Sequence, residues 1–219
     1  MMDRPTTSKD RSSMFPTLAS HAGSITRRFR RDDRGVAATE FAIIAPFLLV
    51  AYLGSVELAA GIDAAKKVSR SAGVVADLVT QGDTYTASEL GELIDIGMAN
   101  IQPYSRSNPM IALYGIEMDD SSGTVRAKVA WSIAKTKGSS LGQPVAAGTI
   151  LSDVPANLLV KDTFLVRAVT DLSYKSLSLG ATEFTGNLDG IAMSDTANYR
   201  PRYEDEIVCS NCAALPMKP

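Results

Sequence analysis

The stretch that decides the fold runs from Arg30 to Gly61, RRDDRGVAATEFAIIAPFLLVAYLGSVELAAG. Phe41 to Val56 contains no charge, and between Val36 and Ala60 only Glu40 and Glu57 are charged. A bilayer core of ~30 Å is crossed by about 20 helical residues. The spacing therefore predicts a membrane-spanning helix over 36–60. Each glutamate then lies about one turn from an end, within reach of the interface.

Charge is distributed unevenly around this segment. Residues 1–35 hold eight of the 22 Lys/Arg and four of the 24 Asp/Glu, and the rest of the chain holds fourteen and twenty. The head is basic and the body acidic, which argues against nucleic acid as a partner because phosphate would repel the body. Residues 1–26 are rich in Ser, Thr, Pro and Arg without an apolar period, so 1–35 reads as a disordered basic leader. Arg27, Arg28, Arg30, Arg31 and Arg34 precede the span, and Lys66, Lys67 and Arg70 follow it. The positive-inside rule then keeps the N-terminus cytoplasmic and exports the body, 61–219. The rival is a secretory signal cleaved near Ala60.

Arg34-Gly35, Glu40-Phe41, Pro46 and Glu57 occur in that order. This order resembles the processing site of type IV prepilins, and more closely the N-terminal segments of TadE/TadG-like proteins of the tight-adherence (Flp) pilus system. The resemblance covers roughly residues 27–60. It implies cleavage between Gly35 and Val36 by a prepilin peptidase, an origin in the bacterial inner membrane and a periplasmic body. Its implied partners are other pilus subunits and pseudopilins and the pilus assembly platform.

The chemistry of the segment agrees with such a role. Cutting after Gly35 creates an α-ammonium on Val36, and Glu40 stands at i+4 on the same helix face. In a low-dielectric setting an unpaired carboxylate is costly, so Glu40 would pair with that ammonium in its own chain or a neighbour's. The alternative is that Glu40 snorkels to headgroups. Glu57 reads as an interfacial residue marking the helix exit, with pairing to a partner subunit as the other option. Pro46 removes one helical hydrogen bond and predicts a kink. Ala51, Ser55 and Ala59 form a small-residue stripe that suits helix contact or lipid.

The body reads as α+β. Val68, Ala72, Val75 and Val79 extend the first helix as an amphipathic element that stops at TQGDT, 80–84. Thr86 and Glu89 form a capping box for a second helix with Leu90, Leu93, Ile94, Met98 and Ile101 on its apolar face, closed by Pro103. Residues 110–118 and 124–134 read as two strands around DDSSG, with Val125, Ala127, Val129 and Trp131 on one face. Phe164, Val166 and Ala168 mark a third strand, while Leu177 to Phe184 has no clear period. The expectation is two helices packed on one face of an antiparallel sheet of about three strands, pilin-like in outline.

Familiar catalytic patterns are missing from the sequence. His21, in the leader, is the sole histidine, so the body has no histidine base or ligand. No nucleotide-binding or nucleophile-elbow motif occurs, and NLDG at Asn187–Gly190 lacks the spacing of a calcium loop. No cofactor or metal is implied. Cys209 and Cys212 form one C-x-x-C. It suits a structural disulfide in an oxidising compartment, with a redox pair or half of a zinc site as alternatives.

These features lead to an expected non-enzymatic role: a minor pilin or pseudopilin-like structural or assembly component of a tight-adherence pilus. The second hypothesis is an unprocessed, signal-anchored envelope protein that binds a partner through its body. The third is an exported thiol oxidoreductase using Cys209 and Cys212.

Overall fold

The computed structural model describes residues 35–121, 123–175 and 190–218. The leader, His21, the Leu177–Phe184 stretch and most of NLDG lie outside the described residues. The described residues fall into two compact units, divided between Tyr52 and Leu53.

Helix α1, Val36–Val79, begins on the residue after Gly35 and runs for 44 residues. In its first unit, the described residues 36–52 are exposed apart from a half-buried Ala45. This helix is long and apolar enough to cross a membrane.

The second unit is an α+β body. Within it, Ala64, Val68, Ser71, Ala72, Val75, Ala76 and Val79 form the buried stripe of α1. All four residues expected there, Val68, Ala72, Val75 and Val79, lie in it. Helix α2, Ala87–Asn100, starts with the capping box: the Glu89 N–H donates to Thr86 Oγ1, and the Glu89 carboxylate accepts the Thr86 N–H at 2.7 Å. Those contacts hold the Glu89 carboxyl below its ordinary range, the Thr86 backbone bond being the larger cause. The two helices approach closely at Gly97, where a Cβ would stand 2.2 Å from Val75 Cγ2. There the Ser71 hydroxyl donates to the Gly97 carbonyl at 2.8 Å.

Among the described residues the sheet is antiparallel and has five strands. They are β2 (Met110–Asp119), β3 (Arg126–Thr136), β4 (Ile150–Leu151), β5 (Phe164–Tyr174) and β6 (Ile191–Tyr199), in spatial order β4-β3-β2-β5-β6. A separate parallel pair joins β1 (Thr84–Tyr85) to β7 (Val208–Cys209). The sheet is thus wider than the three strands expected. Strand β6, IAMSDTANY, escaped the sequence reading because it is an edge strand whose exposed residues need no apolar alternation.

The expected four-residue alternation in β3 is corrected by a bulge. Ile116 pairs with Val129 but Gly115 with Trp131, so Ala130 is an extra residue. The parity flips there. Trp131 joins the helix-facing core, while Ala127 packs with Ile116, Met118 and Leu165 on the other face. Gly115 makes room for the indole, since a Cβ on it would stand 2.3 Å from Trp131.

The main core lies between the helices and the sheet, with Leu90, Ile94, Ile111, Leu113, Ile133 and Val166 at its centre. The opposite sheet face is covered by residues 151–159, which bring in Val154. Arg167 is buried on that face and donates to Asp153 Oδ2 at 2.8 Å and Asn198 Oδ1 at 3.1 Å. The ion pair with Asp153 and the bond to Asn198 offset part of the cost of burying the guanidinium.

Candidate functional site

The residues singled out from the sequence fall into three places. The first is the exposed start of α1. Gly35 and Val36 are exposed, as are Glu40, Phe41 and Pro46. The Thr39 hydroxyl donates to the Val36 carbonyl at 2.8 Å, which closes the first turn locally. Phe41 and Phe47 are 69% and 73% exposed, although phenylalanine is normally among the most buried residues. The apolar side chains point in every direction around the helix, the pattern of a segment whose surroundings are themselves apolar.

The second place is a collar within the body, where α1 first meets the sheet. Strand β5 ends on Tyr174, whose hydroxyl donates to Glu57 Oε1 at 2.7 Å. Tyr104 is set by the turn that follows α2, and its ring meets Tyr174 edge-on at 5.7 Å. The Tyr104 hydroxyl donates to Asp63 Oδ2 at 3.1 Å. Lys67 pairs with Asp63 at 3.7 Å, lies 5.7 Å from the Tyr104 ring centre and donates to the Gln102 carbonyl. Ala64, Val68, Ile101 and Leu172 form the apolar floor beneath. Burial, followed by the Glu57 hydrogen bond, pushes the Tyr174 hydroxyl up to about 12. Burial and then Asp63 raise Tyr104 as well. Glu57, read from the sequence as the marker of the helix exit, thus has a partner inside its own chain. Nothing local announces that partner, which lies 117 residues away.

The third place is the C-terminal tail. Cys209 and Cys212 lie at disulfide distance, with Cα atoms 5.6 Å apart. Cys212 is fully buried in the main core. The pair sits between the two-residue strand β7 and a short 3-10 turn, Cys212–Ala214. Two further bonds tie this tail down. Trp131 Nε1 donates to the Ile207 carbonyl at 2.7 Å, and Asn211 Oδ1 accepts the Ala87 N–H at 2.7 Å. Asn211 thereby satisfies one of the open donors at the start of α2. The tail thus acts as a clasp on the core.

A cleft of about 740 Å³ opens at the far end of the sheet, lined by Asp83, Glu117, Asp119, Asp162 and Glu204 among others. Part of its charge is already met. Lys128 pairs with Glu117 and Lys161 with Asp120, while Asp119 accepts both the backbone and the hydroxyl of Ser121. The Asp119 contacts are those of a hairpin turn. Among the described residues no group of three His, Cys, Asp or Glu is arranged to hold a metal ion.

Comparison with known proteins gave no matching family model, curated protein or solved structure.

Proposed function

We propose that the chain is a structural or assembly component of a type IV-like, tight-adherence pilus machine, a minor pilin or pseudopilin-like subunit. One observation carries this proposal. A single helix starts on the residue after Gly35, exposes apolar side chains on every side over 36–52, and buries one stripe against an antiparallel sheet over 64–79. Such a helix suits a subunit held first by lipid and then by neighbouring helices. The resemblance of Arg34-Gly35, Glu40-Phe41, Pro46 and Glu57 to the TadE/TadG-like pattern supports the same conclusion.

In this proposal the chain is held in the bacterial inner membrane with its N-terminus cytoplasmic and its body periplasmic. A prepilin peptidase cuts Gly35–Val36. The new ammonium and the Glu40 carboxylate, one turn apart, pair within or between subunits and set their register. Head-to-tail repetition of that contact builds or caps an open filament. Glu57 is held by Tyr174, which leaves Glu40 as the residue for assembly. A body of this size suits a tip, initiator or assembly role better than that of a bare filament subunit.

The test is the mass and N-terminal sequence of the protein recovered from envelopes with and without a prepilin peptidase. A mature chain beginning at Val36 only when the peptidase is present is the expected result. An intact leader in both samples defeats the processing step and leaves an anchored envelope protein. A start near Gly61 makes the span a cleaved signal.

A further inference from the structure

The strand registers define two ends of the body. Met110 pairs with Thr136 and Asp171, and Tyr174 with Ile191, at one end. Asp119 pairs with Arg126, and Glu117 with Phe164, at the other. The first end holds Glu57 through Tyr174, so it is the end at which α1 enters the body.

The ends differ in charge. The far end carries the acidic cleft. The near end carries Lys67, Lys135, Lys137 and Lys175: Lys135 and Lys137 flank the end of β3, and Lys175 follows Tyr174. A shallow depression of about 500 Å³ beside Gln102 is lined by Lys135 and Lys137, and Gln102 also receives Lys67. Lys66 lies exposed one residue before Lys67. The near end has acids too: Glu57 accepts from Tyr174, Asp63 faces Lys67, Asp95 faces Lys135, Asp171 lies across from Met110, and Asp195 pairs with Thr170 one step further in. The apolar side chains Ile62 and Ile191 are 50% and 64% exposed there, beside the Tyr104–Tyr174 ring pair. Exposed isoleucines and lysines beside the point where α1 joins the body suit a membrane interface.

We infer that this end of the body rests on the headgroups of an anionic phospholipid bilayer, with the acidic end turned away. The inference rests on the membrane-spanning part of the proposed function and names the surface that the body meets. The excess of twenty Asp/Glu over fourteen Lys/Arg in residues 36–219 would by itself oppose contact with an anionic surface. At the near end Lys66, Lys67, Lys135, Lys137 and Lys175 offset the local acids, which removes that opposition, because potential decays within a Debye length of about 8 Å at physiological salt. Each lysine close to such a surface favours contact by about fivefold.

The test uses the full chain in lipid discs, of phosphatidylcholine alone or mixed in equal parts with phosphatidylglycerol. Lysines are acylated briefly and read by mass spectrometry. Labelling of Lys66, Lys137 and Lys175 should fall about fivefold on the anionic discs. Lys161, at the far end, should not change. Raising the salt until the Debye length is about 3 Å should restore labelling. Equal labelling of the near-end lysines in both discs, in a chain that resists alkaline extraction, overturns the headgroup contact alone. A chain stripped from both discs by alkaline extraction overturns the membrane span and this inference with it.

Discussion

Residues 36–52 and residues 64–79 belong to the same helix and are both rich in apolar side chains, yet they solve the burial problem differently. The first stretch uses Phe, Ile and Leu and leaves them exposed on all sides. The second uses mainly Ala and Val, buries one stripe and gives the opposite face to Lys66, Arg70 and other exposed residues. Charge already separates them, since the first stretch carries only Glu40 and the second carries Lys66, Lys67, Arg70 and Asp77. Side-chain size and angular distribution separate them further, because a helix against a sheet needs one narrow face, while a helix in lipid needs a full apolar surface.

The sharpest way to break this comparison is to place one carboxylate in each stretch. Val75→Asp buries an unpaired charge between α1 and α2, so the body should lose its cooperative thermal transition in circular dichroism. Leu48→Asp should leave that transition in place and weaken membrane retention, by about 2.5–3.5 kcal/mol at the centre of a span. Equal damage to the body from both variants would erase the distinction.

A second experiment probes the core that the buried stretch serves. Gly115→Ala drives a methyl group into Trp131 and should cost about 1–3 kcal/mol in denaturant unfolding. The same change at Gly54, where no atom lies within 4 Å of the added Cβ, should leave body stability unchanged or slightly raised. Next in size, Thr86→Ala removes the capping box of α2 and should lower stability by about 1 kcal/mol. That loss should shrink in acid, because the Glu89 carboxyl is held low by its contacts with Thr86 and their stabilisation disappears as Glu89 protonates.

A comparable effect at neutral pH belongs to the collar. Tyr174→Phe removes one hydrogen bond to Glu57, worth about 1 kcal/mol. Its signature is in alkali. The Tyr174 hydroxyl is raised from 10.0 to about 12, so the folded state retains a proton that the unfolded state releases. The associated stabilisation is complete below pH 10 and is lost as pH rises toward 12. The phenylalanine variant should show a flatter stability profile across that window, and an unchanged slope would mean that Tyr174 does not titrate in this way.

Much of the body was legible before any coordinates. The capping box at Thr86, the buried stripe from Val68 to Val79 and the strand at 110–118 follow from short-range rules of spacing and side-chain oxygen chemistry, and they stand where expected. Strand β6 was not legible, because an edge strand with one neighbour needs little apolar surface. The bulge at Ala130 was not legible either, since alternation continues in the letters after the pleat has shifted.

The candidate sites divide along the same line. By itself, the sequence determined that an apolar helix begins after Gly35 and carries Glu40 one turn in, because both depend only on residues within a few positions of each other. Only tertiary structure decided that Glu57 meets Tyr174, that Asn211 caps α2 and that Trp131 holds the tail at Ile207. Each of these joins residues 76 or more apart in the chain. Local propensity carries no record of such pairs; they exist because the packed sheet and helices bring donor and acceptor within 3 Å once the chain has folded.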